Sequence, residues 1–199
     1  MPRVAGQIDP RKSEAILKAA SDLFAERGVA VTMAEIAREA GVSKQTLYNR
    51  FASKVEIASA LADRRATDIT APLRTDGDPL TVLTAYAEVM LNKVCNVAKG
   101  ESLRGVALMS PTAPEIALVI YDSGPGGSLR RLSAWLTVQD AKGLLAVPEP
   151  DMAAEMFTGM VLGHSHLRAV LGVPHPPSET FGRRAAEAAQ RFVKAFAPN

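Results

Sequence analysis

The side chains best suited to chemistry lie in a short polar run from Ser43 to Asn49, in which Leu47 is the one aliphatic residue. Amide side chains form paired hydrogen bonds with adenine, lysine donates to guanine, and a threonine methyl group contacts the methyl group of thymine. Polar side chains on the outer face of an exposed helix are what reading the DNA major groove requires. The candidates for base contacts are Lys44, Gln45 and Asn49, and Thr46 is a candidate for a thymine methyl group or a phosphate.

Three helix starts close together position this polar run. Thr32 is followed three residues later by Glu35, and Ser53 is followed at the same spacing by Glu56. In such a capping box the hydroxyl accepts the backbone N–H of the glutamate, and the carboxylate accepts the backbone N–H of the hydroxyl residue. Ser43 is an N-cap candidate of the same kind. We therefore predict three helices that begin at Thr32, Ser43 and Ser53.

The first two of these helices are joined by a tight turn at Gly41. Glycine adopts the positive φ of such a turn without steric cost, so the first helix ends there. The pattern predicts a helix-turn-helix whose buried seam consists of Ile36, Val42, Leu47 and Phe51. Its second helix would be the recognition helix, with the outward side chains Ser43, Lys44, Gln45, Thr46, Tyr48 and Asn49.

Residues 9–71 resemble the DNA-binding domain of the TetR family of transcriptional repressors. The resemblance rests on LFAERG in the first helix, on the run TMAEIAREAGVS, and on TLYNRF followed by Ser53 and Lys54. It implies that Tyr48 and Lys54 clamp the DNA backbone, contacts that position a protein without reading sequence.

Two further features bear on the interface with DNA. The helix starts at Thr32 and Ser43 offer backbone N–H groups, which are candidates for phosphate contacts. Gln45 departs from the family pattern, because many relatives have glycine there. Glutamine at this position would change which base the recognition helix reads. It does not change the assignment of the domain.

The chain is predicted to be all-α, because no segment shows the alternating pattern of a strand. The predicted domains are a helix-turn-helix domain over residues 1–71, with its fourth helix as a connector, and a ligand-binding and dimerisation domain over residues 72–199. Residues 1–8 are expected to form a loose arm. The predicted helices run over 10–27, 53–69, 79–99, 102–110, 114–142, 151–172 and 178–197, and for 114–142 one helix kinked at GPGG is favoured over two separate helices.

The C-terminal part resembles the C-terminal domain of the AefR-like branch of the same family, through GPGGSLRRLSAWL and DMAAEMFTGMVLGHSHLRAVLG. This resemblance implies a regulatory ligand, and the composition of the candidate walls indicates an apolar or aromatic one. Plain packing is the alternative for the methionines, since methionine also fills irregular cores. The candidate ligand-binding residues are Met90, Met109, Ile116, Ile120, Tyr121, Trp135, Met156, Met160 and His164.

Small residues on the last two predicted helices indicate close helix packing. Following the family, we expect these helices to pair across a two-fold axis as a four-helix bundle, and ordinary packing within one chain is the alternative. A homodimer would need a palindromic DNA operator. The candidate interface residues are Ala153, Gly159, Gly163, Ala185 and Ala189.

The bulk composition is that of a globular protein of 199 residues with a formal charge of +2. The surplus of positive charge lies in residues 1–71, which hold 11 Lys and Arg residues and 9 Asp and Glu residues. The remaining residues hold 12 of each charge. The single Cys95 excludes an internal disulfide and a cysteine metal cluster. With neither a signal peptide nor a long apolar run, we expect a cytoplasmic, nucleoid-associated protein without membrane segment, metal or cofactor.

An enzyme in the C-terminal domain is the rival class. Residues 163–167, GHSHL, approach the nucleophile elbow but lack its closing glycine and lie within a helical pattern. His164 and His166 are two apart and would point to nearly opposite sides of a helix, which disfavours a metal pair. GPGG lacks the Lys-Ser/Thr of a phosphate loop. The sequence favours a ligand-responsive repressor; an activator and a ligand-independent DNA-binding protein are the alternatives.

Overall fold

The computed structural model describes residues 9–95 and 114–198, and within these ranges the chain is all-α. The same ranges contain three short 3₁₀ turns, Gly28–Ala30, Ala71–Arg74 and Ser178–Thr180. The described helices are α1 (Pro10–Arg27), α2 (Met33–Glu39), α3 (Lys44–Tyr48), α4 (Lys54–Ile69), α5 (Pro79–Val94), α6 (Pro114–Ser123), α7 (Pro125–Ala141), α8 (Pro150–Leu162), α9 (Ser165–Leu171) and α10 (Phe181–Ala195). The expected N-terminal arm, the expected helix over 102–110 and Met109 lie outside the described residues.

The chain divides into two compact units, Met1–Leu61 and Ala62–Asn199, and α4 crosses the boundary between them. The division falls inside a continuous helix, whereas the sequence placed it at residue 71, after that helix. We call these parts the N-terminal unit and the C-terminal unit.

The N-terminal unit is built on a small aliphatic core. Asp9 caps α1 by accepting the backbone N–H of Arg11 at 3.0 Å. Arg50, just after α3, donates a hydrogen bond of 2.6 Å to the hydroxyl of Ser13 on α1, which fixes the end of α3 against that helix. The buried core residues are Ile16, Ala20, Val31, Ile36, Ala37, Leu47, Phe51 and Ile57.

The C-terminal unit is organised around a row of aromatic rings. The ring centroids of Tyr86 and Phe157 are 6.0 Å apart, those of Phe157 and Phe192 are 5.0 Å apart, and those of Phe192 and Phe196 are 4.5 Å apart. Such offset and edge-to-face pairs add to the stabilisation from apolar burial. This row ties α5, α8 and α10 into one core.

Helix lengths in the C-terminal unit differ from the prediction. The expected helix 151–172 is two helices, because Gly163 has φ 46° and ends α8. The expected helix 114–142 is also two, divided at Gly124, so the favoured interpretation as one kinked helix is wrong. α5 ends at Val94, and residues 96–99 of the expected helix lie outside the described residues. The last helix begins at Phe181, after a 3₁₀ turn.

The C-terminal half of α4 is held closely within the C-terminal unit. A Cβ atom added at Gly124 would lie 3.0 Å from the carbonyl oxygen of Ile120 and 3.3 Å from the Cβ of Ala62, so glycine permits this approach. Arg131 forms an ion pair of 2.7 Å with Asp63. Arg65 donates a hydrogen bond of 2.7 Å to a carbonyl near the end of α5. Residues 62–69 of α4 are thereby linked to α5, α6 and α7.

The described residues contain neither a membrane-spanning helix nor a cluster of metal ligands. None of their helices combines the length and the hydrophobicity that crossing a lipid bilayer requires. They also contain no group of three or more His, Cys, Asp and Glu side chains arranged to hold a metal ion.

Leu47→Ala should destabilise the N-terminal unit by about 2–5 kcal/mol, because it leaves a cavity where a fully buried leucine packed. Peptide-resolved hydrogen exchange in increasing urea would measure the change, with loss of protection confined to residues 10–61. The control is Leu118→Ala, since Leu118 is 60% exposed. Equal stability of the two variants would contradict the assignment of this core.

Candidate nucleic-acid interface

α3 is fixed by its N-cap and by one buried side chain. Ser43 accepts the backbone N–H of Thr46 at 3.1 Å, and the hydroxyl groups of the two residues are 2.8 Å apart. Leu47 has no exposed surface and lies in the core of the unit. The helix is five residues long, and such a short helix depends on this packing for its stability.

The turn between α2 and α3 has the predicted form. Gly41 has φ 63°, and the backbone N–H of Val42 donates to the carbonyl of Ala37 at 3.0 Å. Of the predicted seam, Ile36, Leu47 and Phe51 are buried, while Val42 is partly buried and packs against the same cluster.

The outer face of α3 carries four exposed polar residues. Lys44, Gln45, Tyr48 and Asn49 are all exposed, and Thr46 is partly exposed beside its cap. Gln45 donates a hydrogen bond of 2.8 Å from its Nε2 to the Oδ1 of Asn49, one helical turn further on. The predicted base-reading residues therefore lie together on one surface, and the side chains of Gln45 and Asn49 are hydrogen-bonded to each other.

The capping box at the start of α2 is present with both of its hydrogen bonds. Glu35 accepts the backbone N–H of Thr32 at 2.8 Å and its hydroxyl proton at 2.7 Å. Arg27 forms an ion pair of 2.8 Å with the same carboxylate. The Thr32 backbone N–H, the Thr32 hydroxyl and then Arg27 lower the pKa of Glu35 to about 2. Both Thr32 protons point to this anion, so its contact with a phosphate stays a prediction.

The start of α4 is a variant of the same box. Ser53 accepts the backbone N–H of Glu56 at 3.3 Å, as predicted. The carboxylate of Glu56 accepts the backbone N–H of Ala52 at 2.6 Å, one residue before the expected donor. Lys54 is the first residue of α4 and is partly exposed beside this cap.

The described candidate ligand-binding residues differ in burial. Met90 is buried in the core, Trp135 packs against that core, and Ile116 and Ile120 are half-buried on α6. Tyr121 and His164 are exposed, as are Met156 and Met160, at 52% and 40%, so these four do not form the interior wall that was expected. An open depression of about 500 Å³ elsewhere in the C-terminal unit is lined by Pro176, Thr180, Arg183, Arg184 and Glu187.

The candidate dimer residues also need correction. Ala153, Ala185 and Ala189 are buried in the core of their own chain, where they let α8 and α10 pack closely. They therefore cannot present a surface to a second copy. Gly159 and Gly163 are exposed, although an Arg184 guanidinium nitrogen lies 2.6 Å from where a Gly163 Cβ would be.

An exposed row of methionines on α8 is the feature that the sequence interpretation missed. Met152, Met156 and Met160 are all exposed and follow each other at intervals of four, so they lie on one side of the helix. Leu167 and Leu171 repeat this spacing on α9 and are also exposed. The four-residue spacing of these apolar side chains, which is visible in the sequence, could have indicated that they share one side of each helix.

The serine of the near-miss elbow does not have the environment of a nucleophile. Ser165 is the first residue of α9 and is 1% exposed. Among the described residues its hydroxyl oxygen has no hydrogen-bond partner, and no described imidazole is bonded to it.

An N-terminal unit with a capped α2, a glycine turn and an outward polar α3 defines a helix-turn-helix protein. The sequence profile described as "AefR-like transcriptional repressor, C-terminal domain" matches residues 81–198. The profile described as "Bacterial regulatory proteins, tetR family" matches residues 16–61. The chain therefore belongs to the TetR family of transcriptional regulators.

Three relatives illustrate this membership. The transcriptional repressor KstR2 of Mycobacterium tuberculosis is 47% identical over 62 residues, which are 31% of this chain and 30% of the repressor. The transcriptional activator FasR of Mycolicibacterium smegmatis is 36% identical over 100 residues, 48% of this chain and 45% of FasR. The match thus spans less than half of either curated relative.

The third relative is the structure of the flavonoid-responsive regulator FrrA. It superposes with a TM-score of 0.71 at 30% identity, and the alignment covers 96% of this chain and 100% of FrrA. The alignment therefore extends over both units of this chain.

Glu35→Gln should lower the thermal stability of the N-terminal unit at neutral pH. The lowered pKa means that the ionised carboxylate stabilises the folded state above its ordinary pKa of 4.5, and that this contribution is lost as the pH falls towards 2. The difference in melting temperature between wild type and variant should therefore shrink between pH 5 and about pH 2. Glu26→Gln, on the exposed surface of α1, is the control. A difference that does not vary with pH would contradict this role.

Proposed function

We propose that this chain is a homodimeric transcriptional repressor that binds a palindromic operator and leaves it when a small, largely apolar ligand binds. The observation that carries the proposal is α3, whose inner face is buried and whose outer face presents Lys44, Gln45, Tyr48 and Asn49. Regulators of this family bind DNA operators and small effectors and dimerise. KstR2, a repressor, is 47% identical over a stretch of 62 residues.

DNA binding would combine two kinds of contact. Tyr48 and Lys54 would hold phosphates, contacts that fix the register of the protein on the duplex. Ser43 and Thr46, which are bonded to each other at the N-cap, would lie beside the backbone. Lys44, Gln45 and Asn49 would face the base edges in the major groove.

The effector would be a largely apolar or aromatic molecule held in the C-terminal unit. Met90 and Trp135, with Ile116 and Ile120, are the candidates that keep an inward position. FrrA is named as flavonoid-responsive and aligns with nearly the whole chain, which supports a planar aromatic ligand. To act as a release signal, the ligand would bind a conformation of the unit that differs from the DNA-binding one.

Release would pass through α4. In its C-terminal half, Arg65 donates a hydrogen bond to α5, and Asp63 forms an ion pair with Arg131 of α7. Its N-terminal half belongs to the N-terminal unit. A ligand that displaces α5 or α7 would move α4 and change the spacing of the two recognition helices. The ligand weakens DNA binding only if it binds the displaced state more tightly.

Dimerisation would use the methionine row of α8 together with Leu167 and Leu171 of α9. Apolar side chains exposed at regular spacing on neighbouring helices are typical of a surface that is covered by a partner. A second copy placed across a two-fold axis would present the same row, which gives a self-complementary interface.

An activator is the second candidate, and one finding favours it. FasR, named as an activator, is 36% identical over 100 residues. Both candidates require the same DNA interface, and they differ in the position of the operator relative to the promoter. In-vitro transcription from a bound promoter separates them by the sign of the effect.

The proposed function is tested by selecting bound fragments from genomic DNA, with the salt concentration varied. A palindromic site with a steep salt dependence is expected. Lys54→Ala should weaken binding to all sequences alike and reduce the slope of log K against log salt by about one, because one phosphate contact is removed. Lys142→Ala, an exposed lysine in the C-terminal unit, is the matched control. Binding without any enriched sequence would reject the proposal.

Met156→Glu should shift the protein from dimer to monomer in sedimentation at micromolar concentration. The carboxylate would be buried without a partner in the proposed interface, which is strongly unfavourable. Leu118→Glu, on the exposed side of α6, is the matched control and should leave the dimer intact. A dimer that tolerates the change at Met156 would rule out this surface.

A further inference from the structure

Gln45 and Asn49 occupy the most outward positions of α3. They lie two residues before and two residues after the buried Leu47. With 3.6 residues in each turn, both side chains lie about 160° around the helix axis from the buried leucine. When the inner face of α3 packs against its own unit, these two residues point directly away from that unit.

The hydrogen bond between them determines what each amide can still offer. Gln45 gives one Nε2 proton to the Oδ1 of Asn49 at 2.8 Å. It retains one N–H donor and its Oε1 acceptor, while Asn49 retains both Nδ2 protons. The backbone of this pair is fixed as well, since the N–H of Asn49 donates to the carbonyl of Gln45 at 2.9 Å.

The donor and the acceptor that Gln45 retains match the major-groove edge of only one of the four bases. In the major groove adenine presents the N7 acceptor beside the N6 amino donor, and this pair accepts a bidentate amide. Guanine presents two acceptors, cytosine an amino donor, and thymine an acceptor with a methyl group. The remaining groups of Gln45 are therefore complementary to adenine.

We propose that Gln45 reads one adenine in each half of the operator, and that Asn49 is the positioning residue that holds its amide in the reading orientation. This assignment rests on the proposed function, because it assumes that α3 enters the major groove. Beyond the proposed function, this assignment names adenine as the base and Gln45 as the residue that reads it. It also states that Gln45 and Asn49 act together.

The first test is selection of binding sites from a random DNA library with wild type, Gln45→Ala and Gln45→Glu. Wild type should enrich a half-site with one strongly preferred adenine. Gln45→Ala should lose preference at that position alone, with about 5- to 150-fold weaker binding to the wild-type site. Gln45→Glu should change the preference to cytosine, because a carboxylate accepts from the cytosine N4 amino group.

The second test separates reading from positioning. Asn49→Ala should relax the same adenine position, and the double variant Gln45→Ala/Asn49→Ala should lose less than the product of the two single losses, since the residues are coupled. Asn49→Asp keeps an oxygen for the Gln45 Nε2 proton and should retain the adenine preference, although its added negative charge lowers overall affinity. Independent losses, or a relaxed position in Asn49→Asp, would overturn the positioning role.

Modified bases test the contact in the wild-type protein itself, with Gln45→Ala as the comparison. Replacing the preferred adenine by 7-deazaadenine removes N7, and replacing it by purine removes the N6 amino group. Each change should weaken wild type and leave Gln45→Ala unaffected. A palindromic site in which no adenine depends on Gln45 would overturn this inference and leave the proposed function in place. No enriched site with wild type would overturn both.

Discussion

The burial of Leu47 is the interaction on which the recognition surface depends. α3 is too short to be stable alone, and its one fully buried side chain joins it to the core that contains Ile36 and Phe51. Since a helix has a fixed angular period, burying one residue determines which residues point outward. The orientation of Gln45 and Asn49 therefore follows from an apolar contact on the opposite face. Arg50 strengthens this constraint, because its hydrogen bond to Ser13 holds the end of the helix against α1.

The N-terminal unit could be predicted almost completely from sequence, because its determinants are local. Capping at Thr32 and Ser43 depends on residues three positions apart, and the turn at Gly41 depends on one residue with positive φ. These signals act before any tertiary contact is formed. The hydrogen bond between Gln45 and Asn49 was not predicted, although their spacing of four places the two side chains one helical turn apart.

The C-terminal unit was harder to predict, because the predictions that failed there depended on tertiary contacts. Gly163 ends α8 in a conformation that helical periodicity alone does not reveal. Small residues signal close packing without indicating whether the neighbouring helix belongs to the same chain, and Ala185 and Ala189 proved to face their own core. Methionine is equally ambiguous, since Met90 is buried and Met156 is exposed. Burial in this unit is decided by contacts between α5, α8 and α10, which are distant in sequence.

The separation of the two faces of α3 has a consequence for evolution. Substitutions at exposed positions away from caps and cores change folding stability little, and Gln45 and Asn49 are both exposed on the outer face. The residues that stabilise the unit and the residues that face outward are therefore different. After gene duplication, a copy could acquire a new set of target genes through one or two substitutions there without first gaining compensating stability. Diversification of a regulatory network would then be limited by the supply of suitable promoters more than by the foldability of the regulator.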